Sequence, residues 1–206
     1  MEDWVHRALQ RWPNVPALYG WLALDRRGRW LIRGEPISRP QIVDTIARNY
    51  AADEHGRWYF QNGPQRGYMQ LAYAPLVLWA SADGHTLRTH TGLEVRAPSA
   101  VYLDEEGALL IVSEHGPGVL ADQDLDWALA RLQDAVQAAT PVSEDALYTA
   151  LALPSGATTA LSLQLGAQSL PLRRLDAAAM PAALGFVRDP QPRDGERAAV
   201  GDVMPP

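Results

Sequence analysis

The sequence predicts an α+β fold: twisted, mainly antiparallel sheets built from duplicated ββα-like units, with amphipathic helices packed on one face. Three observations predict it. Short runs of alternating apolar and polar residues recur between Asp-x-x-Gly and Asn-Gly turns, the pattern of half-buried strands in hairpins. Two longer stretches carry apolar residues at three- and four-residue spacing, the pattern of amphipathic helices. A strand–turn–strand–helix order also occurs twice. At 206 residues, with 47% hydrophobic and 20% charged residues, composition is that of an ordinary globular protein, enough for one sizeable domain or two small lobes.

Trp4, Val5, Ala8, Leu9 and Trp12 share one face of an opening helix, which Pro13 ends. Strands follow at 19–24 and 29–33, joined by Asp25-Arg26-Arg27-Gly28, where Asp caps a backbone NH and Gly relieves strain. Ser38-Arg39-Pro40-Gln41 has capping-box spacing, with Ile37 and Ile42 placed as a hydrophobic staple. The helix it opens carries Ile42, Val43, Ile46, Ala47 and Tyr50 as one stripe. Asp53-Glu54-His55-Gly56 repeats the turn and leads into a strand at 57–61, which Asn62-Gly63-Pro64-Gln65 reverses into another at 68–73. Pro75 marks an edge or bulge before 76–79, and short strands are expected at 86–90 and 93–96.

Residues 101–111 then overlay 22–32, Asp104 on Asp25 and Gly107 on Gly28. A second helix is expected from an Asp122 cap, with Leu125, Ala128, Leu129, Leu132, Val136 and Ala139 on one face. Segments 160–165 and 170–175 alternate as a hairpin around Gly166-Ala167-Gln168, and Asp176 caps an Ala-rich turn ending at Gly185. The expected organisation is a lobe at 1–96, a second at 97–188, and a mobile tail at 189–206 with too little apolar content to pack.

The run Gly28-Arg29-Trp30, Gly34-Glu35-Pro36-Ile37-Ser38-Arg39, Ile42-Val43, Asp53 to Gly56-Arg57-Trp58 and Ala74-Pro75-Leu76 resembles a family of uncharacterised proteobacterial proteins. That family has the pattern Gly-x-Trp-x-x-x-Gly-x-Pro-Ile ahead of a helix, then Asp-x-x-Gly-x-Trp. The similarity covers residues 19–112. Arg48-Asn49-Tyr50 and the segment from Gly56 to Gln65 are similar to a second group of conserved hypothetical proteins. The resemblance implies an α+β fold with repeated motifs, no established enzyme activity and at most a signalling role; it brings no functional residues. The chain departs from the first family in a longer, more polar loop at 61–67.

Several function classes are excluded or disfavoured. Without cysteine there are no disulfides, thiolate zinc sites or cysteine nucleophiles. The acidic N-terminus lacks the apolar core of a signal peptide, and the apolar run at 71–80 is about half a membrane span and holds Pro75. A soluble, cytoplasmic protein is expected. The histidines (His6, His55, His85, His90, His115) have no zinc-site spacing, so no metal and no cofactor are assigned. Ser113-Glu114-His115 and Ser155-Gly156 lack a nucleophile elbow, and Gly63 to Gly67 is no phosphate loop, so no catalytic residue is assigned. All 18 basic residues are Arg, 10 of them before Gly67 against 7 acids, with 8 against 17 acids after it. Arg26, Arg27, Arg29, Arg33, Arg57 and Arg66 interleave with Trp30, Trp58, Tyr59 and Tyr68, a mixture used by sheets that bind single-stranded nucleic acid. The acidic net charge of −6 argues against that use.

The function expected is therefore a non-catalytic, cytoplasmic binding or regulatory module. A hydrolase-like enzyme with an unconventional site and a weak single-strand binder are the alternatives. The candidate ligand-binding site lies on the outward face of the strands at 29–33 and 57–68: Arg33, Glu35, Arg57, Tyr59, Gln61, Asn62, Arg66 and Tyr68. Arg57, Tyr59 and Gln61 share a face by the two-residue period. The reversal at 62–67 holds two Gly and a Pro, so its backbone amides can approach a ligand closely. Arginine offers a planar fork for carboxylate or phosphate, so the expected partner is a small anionic ligand or an acidic protein segment.

Overall fold

The structure, a computed structural model, describes residues 7, 11, 15–134 and 142–201. Of the expected opening helix only Arg7 and Arg11 fall among them. The chain divides into two compact units, residues 1–75 with 185–206, and residues 76–184. The boundary expected at residue 96 thus lies inside the second unit.

The first unit opens with β1 (Ala17–Leu24), β2 (Trp30–Ile32) and β3 (Glu35–Pro36), continues through α1 (Pro40–Arg48), and adds β4 (Tyr50–Ala52), β5 (Trp58–Asn62) and β6 (Gln65–Leu71). The sheet order is β3-β2-β1-β6-β5-β4, antiparallel throughout except where β1 lies parallel to β6.

The second unit holds β7 (Leu76–Ala80), β8 (Leu87–Thr89), β9 (Glu94–Val95), β10 (Ala100–Leu103), β11 (Leu109–Ser113) and β12 (Gly116–Leu120). A 3-10 turn at Asp122–Asp124 then leads to α2 (Leu125–Leu129), β13 (Leu132–Asp134), α3 (Glu144–Ala152), β14 (Thr158–Leu165), β15 (Gln168–Arg174) and α4 (Met180–Leu184). Its order is β13-β14-β15-β10-β11-β12-β7-β8-β9, with β10 parallel to β15 and β12 parallel to β7. The first sheet is therefore two three-stranded meanders with α1 between them in sequence, joined in parallel through β1 and β6; the second joins β10–β12 and β13–β15 in the same way across α2, and adds a third meander, β7–β9, on β12. After α4 the chain returns to the first unit, where β16 (Ala198–Val200) pairs in parallel with the start of β1.

Three Asp-x-x-Gly turns close alike. The Gly amides of Gly28, Gly56 and Gly107 donate to the carbonyls of Asp25, Asp53 and Asp104 at 3.1, 3.1 and 3.3 Å. In each, the Asp Oδ1 accepts two backbone NH groups, from residues two and four places on. The glycines sit at φ +77°, +75° and +89°, a region in which a Cβ collides with its own backbone.

Burial follows the pleat. On one face of the first sheet Trp30, Tyr50 and Trp58 pack with centroids 4.8 and 4.9 Å apart, and Ile46 is the buried residue of α1. Tyr19, Tyr59 and Tyr68 form a cluster against Ala17 and Ala51. In the second unit, Val101, Leu103, Leu109, Ile111, Leu161, Leu163 and Leu172 form a core closed by Ala128 of α2 and Ala150 of α3. Burial of this kind contributes about 25 cal/mol per Å² of apolar surface.

Three expectations are corrected and one helix is added. Ser38 does not cap α1: the helix begins at Pro40, its N-cap residue is Arg39, and no side chain caps it. Pro40 brings a helical φ of its own and starts the helix one residue later than the box would place it. The helix expected at 122–139 ends at Leu129, and Leu132 begins a strand that pairs with β14; Val136 and Ala139 lie outside the described residues. An unexpected helix, α3, starts at Ser143, whose Oγ accepts the Ala146 amide. Within the expected tail, residues 198–200 pack as β16 and Glu196 pairs with Arg57.

Candidate functional site

Arg57 is the residue around which the polar groups of the first unit converge. The turn ending β4 delivers it. Asp53 Oδ1 accepts the amides of His55 and Arg57 at 2.9 and 3.0 Å, while Oδ2 accepts the Arg57 Nε at 2.8 Å and the Tyr68 hydroxyl at 3.1 Å. One edge of the guanidinium is thereby fixed, and the other is presented as a two-pronged donor.

That edge holds a carboxylate. Arg57 Nη1 and Nη2 donate to Glu196 Oε2 and Oε1 at 2.9 and 2.7 Å. The Tyr19 hydroxyl and the Arg193 amide donate to the same Oε2 at 2.8 and 3.0 Å. Nη1 also reaches the Tyr19 hydroxyl and the Gln191 carbonyl, and Nη2 the Tyr68 hydroxyl. The two phenols stack with centroids 4.6 Å apart, and the guanidinium carbon lies 4.6 Å from the Tyr68 ring centre. Because β1 runs parallel to β6, Tyr19 comes to lie over Tyr68 although 49 residues separate them.

The electrostatics follow from this geometry. Glu196 is lowered to about 2, first by the Arg57 guanidinium and then by the Arg193 amide and the Tyr19 hydroxyl. For Asp53 burial works upward, but the hydrogen bonds from Arg57 and His55 outweigh it and the group is lowered. Arg57 is raised, chiefly by Glu196. Burial raises Tyr19 and Tyr68, Tyr19 further by donating to Glu196. The site is an arginine already balanced by one buried carboxylate, holding a second by oriented donors.

The expected site residues divide. Arg57, Tyr59 and Gln61 do share a face, but that face is inward: with Tyr68 they are 5%, 5%, 0% and 3% exposed. The outward placement is thus corrected. The Tyr19 side chain from β1, stacked on Tyr68, and the returning chain on Arg57 cover this face, which the two-residue period leaves undetermined. The stacking platform for a single strand fails for the same reason, with Trp58, Tyr59 and Tyr68 all buried. Gln61 closes its own hairpin through Gly63 and Gln65, and accepts Arg66 Nε at 3.2 Å. Arg66 lies 4.5 Å from the Tyr59 ring centre. Asn62 is exposed at the strand end. Arg33 and Glu35 are on the β2–β3 hairpin, separated from β5 by β1 and β6; Arg33 stacks on Trp21 at 3.9 Å, lining a groove of about 350 Å³ with Arg29, Leu31 and Gln70. Tyr19, Asp53 and Glu196 are the members of the site that the sequence reading lacks.

Among the described residues no three His, Asp or Glu side chains converge as a metal site, and no helix is long and apolar enough to cross a membrane.

The chain belongs to the DUF2944 family, described as a protein of unknown function (DUF2946), which it matches over residues 1–191. That span contains Tyr19, Asp53, Arg57 and Tyr68 and stops before Glu196. No curated protein matches the chain. Among solved structures it is similar to a DUF1285 family protein from Silicibacter pomeroyi DSS-3, at 17% identity over 78% of this chain and 84% of that one, with a TM-score of 0.51. It is also similar to a DUF1285 family protein from Shewanella baltica OS155, at 13% identity over 51% and 87%, with a TM-score of 0.40. The first likeness is one of fold.

Proposed function

We propose that this member of the DUF2944 family is a non-catalytic binding or regulatory module that takes an anionic group, the carboxylate of a small ligand or of an acidic protein segment, through Arg57. One observation carries the reading: the two-pronged grip of Arg57 on Glu196, completed by the Tyr19 hydroxyl. Such paired, charge-assisted bonds fix both the position and the plane of a carboxylate. The surrounding groups suit holding rather than turnover. Asp53 is committed to four donors, and phenols with raised pKa values do not serve as bases near neutrality. The strand order that the first sheet shares with β10–β15 of the second supports the companion reading that these are duplicated units, of which, among the described residues, only the first carries this clamp.

Chemical rescue tests it. In Glu196→Ala the carboxylate is removed while the backbone groups of the segment are unchanged. Acetate should then bind saturably and raise the melting temperature of this variant more than chloride at equal ionic strength, with little effect on the parent chain. Tyr19→Phe in the same background should weaken the acetate response. An acetate response equal to that of chloride would sink the proposal.

A further inference from the structure

Building on the carboxylate reading, we infer that residues 191–201 are a peptide ligand bound in cis, and that the site reads an extended Glu-x-x-x-x-Gly segment which an external partner of the same chemistry displaces. The register is set at both ends. At the first, Glu196 occupies the Arg57 clamp. Next, the Ala17 amide donates to the Arg197 carbonyl at 2.9 Å, and residues 198–200 pair in parallel with residues 17–19. The Gly201 amide then donates to the Tyr19 carbonyl at 2.8 Å.

At the second end only glycine fits. A Cβ on Gly201 would lie 2.6 Å from Trp21 Nε1 and 2.8 and 3.0 Å from two further indole atoms. Its carbonyl oxygen lies 3.1 Å from where a Cβ on Gly20 would stand, and Gly20 is itself at φ +73°. Two backbones approach each other here more closely than side chains would allow.

Between the anchors nothing is read. Ala198, Ala199 and Val200 are all exposed, Val200 by 59%. Main-chain pairing supplies affinity and the two end positions supply specificity, which is how sheets take up strands from partners. The segment adds no buried apolar side chain of its own at these positions, so its hold is that of a tethered ligand. Tethering gives it an effective concentration of about millimolar, which an external segment must outcompete. Both anchors of the occupant, Glu196 and Gly201, also lie beyond the span matched to the family, whereas the clamp lies inside it. The partner is thus an extended protein segment with an acidic residue five places before a glycine.

The test uses the full chain and a labelled peptide with the sequence of residues 191–201. Glu196→Ala should bind it at least about tenfold more tightly than the parent, because the cis competitor is weakened. Gly201→Val, which leaves the clamp untouched, should open the site in the same way. Peptides carrying the equivalents of Glu196→Gln or Gly201→Ala should lose about tenfold or more. Equal binding to parent and variants, or indifference to the glycine, overturns the inference. Should acetate rescue succeed while the peptide fails, this inference alone falls; should both fail, the carboxylate reading falls with it. A dimer formed by exchange of the segment would place a second copy in the site and overturn the external partner.

Discussion

Gly56→Ala and Gly107→Ala are the same change in the same kind of turn, and they should not cost the same. Both glycines stand at positive φ, so alanine at either position incurs about 1–2 kcal/mol of left-handed strain. For Gly107 that is the whole effect, since nothing lies within 4 Å of the added Cβ. At Gly56 the Cβ would stand 2.2 Å from the Gly185 carbonyl oxygen, 3.0 Å from its carbon and 3.2 Å from Phe186 Cα. These are backbone atoms, which cannot swing aside. The returning chain must lift off the turn, losing the 3.0 Å bond from the Val187 amide to the Gly56 carbonyl, about 1 kcal/mol. Phe186, 4% exposed, loses part of its burial as well, about 1–2 kcal/mol. The sum for Gly56→Ala is about 3–5 kcal/mol. Hydrogen exchange read by peptide mass spectrometry separates the two units, and urea titration gives the stability loss in each. Gly56→Ala should also unprotect the Val187 amide under native conditions, while Gly107→Ala leaves it protected. Equal losses, with Val187 still protected, would refute the close docking of residues 185–187.

Three further outcomes follow from the same geometry. Glu196 titrates at about 2 in the folded chain, below an ordinary glutamate, so its stabilisation is full above about pH 4.3 and is lost as pH falls towards 2; protection of the Gly201 amide should fall across that window, and Glu196→Gln should flatten the profile. Asp53→Asn leaves a buried guanidinium with one carboxylate fewer and should cost about 3 kcal/mol, whereas Asp25→Asn, whose partner Arg29 is 55% exposed, should cost about 1 kcal/mol or less in the same melts. Ser143→Ala removes the cap on α3 and should cost about 1 kcal/mol, while Ser38→Ala should stay within about 0.5 kcal/mol.

Local chemistry was the legible part of this chain. The Asp-x-x-Gly turns, the hairpin of β14 and β15 and the shared face of Arg57, Tyr59 and Gln61 all follow from spacing of two, three or four residues. What spacing leaves open is which face is covered. Arg57 is inward because β1 pairs with β6 and because residue 196 returns across 139 positions of sequence, and parallel, distant pairing leaves no mark in a short window. Leu132 fits a helical stripe and a strand equally well, so periodicity alone does not mark the turn between Leu129 and Leu132. Ser38 and Ser143 show the limit of capping signals. The first has the full box spacing but stands ahead of Pro40, which starts the helix without it. The second, followed by Glu144 and Asp145, carries an acidic first turn suited to the helix dipole and went unread beside weaker periodicity.

The split composition of the first unit sets an order of events during synthesis. Residues 76–184 are contiguous and can close as soon as they leave the ribosome, but the first unit waits for residues 185–201. At elongation rates of about 5–20 residues per second that wait is on the order of ten seconds. Throughout it the Asp53–Arg57 pair stands with its outer fork unoccupied and the start of β1 unpaired by β16. A newborn chain is therefore open to any acidic strand nearby, and becomes self-occupied only when residues 191–201 arrive.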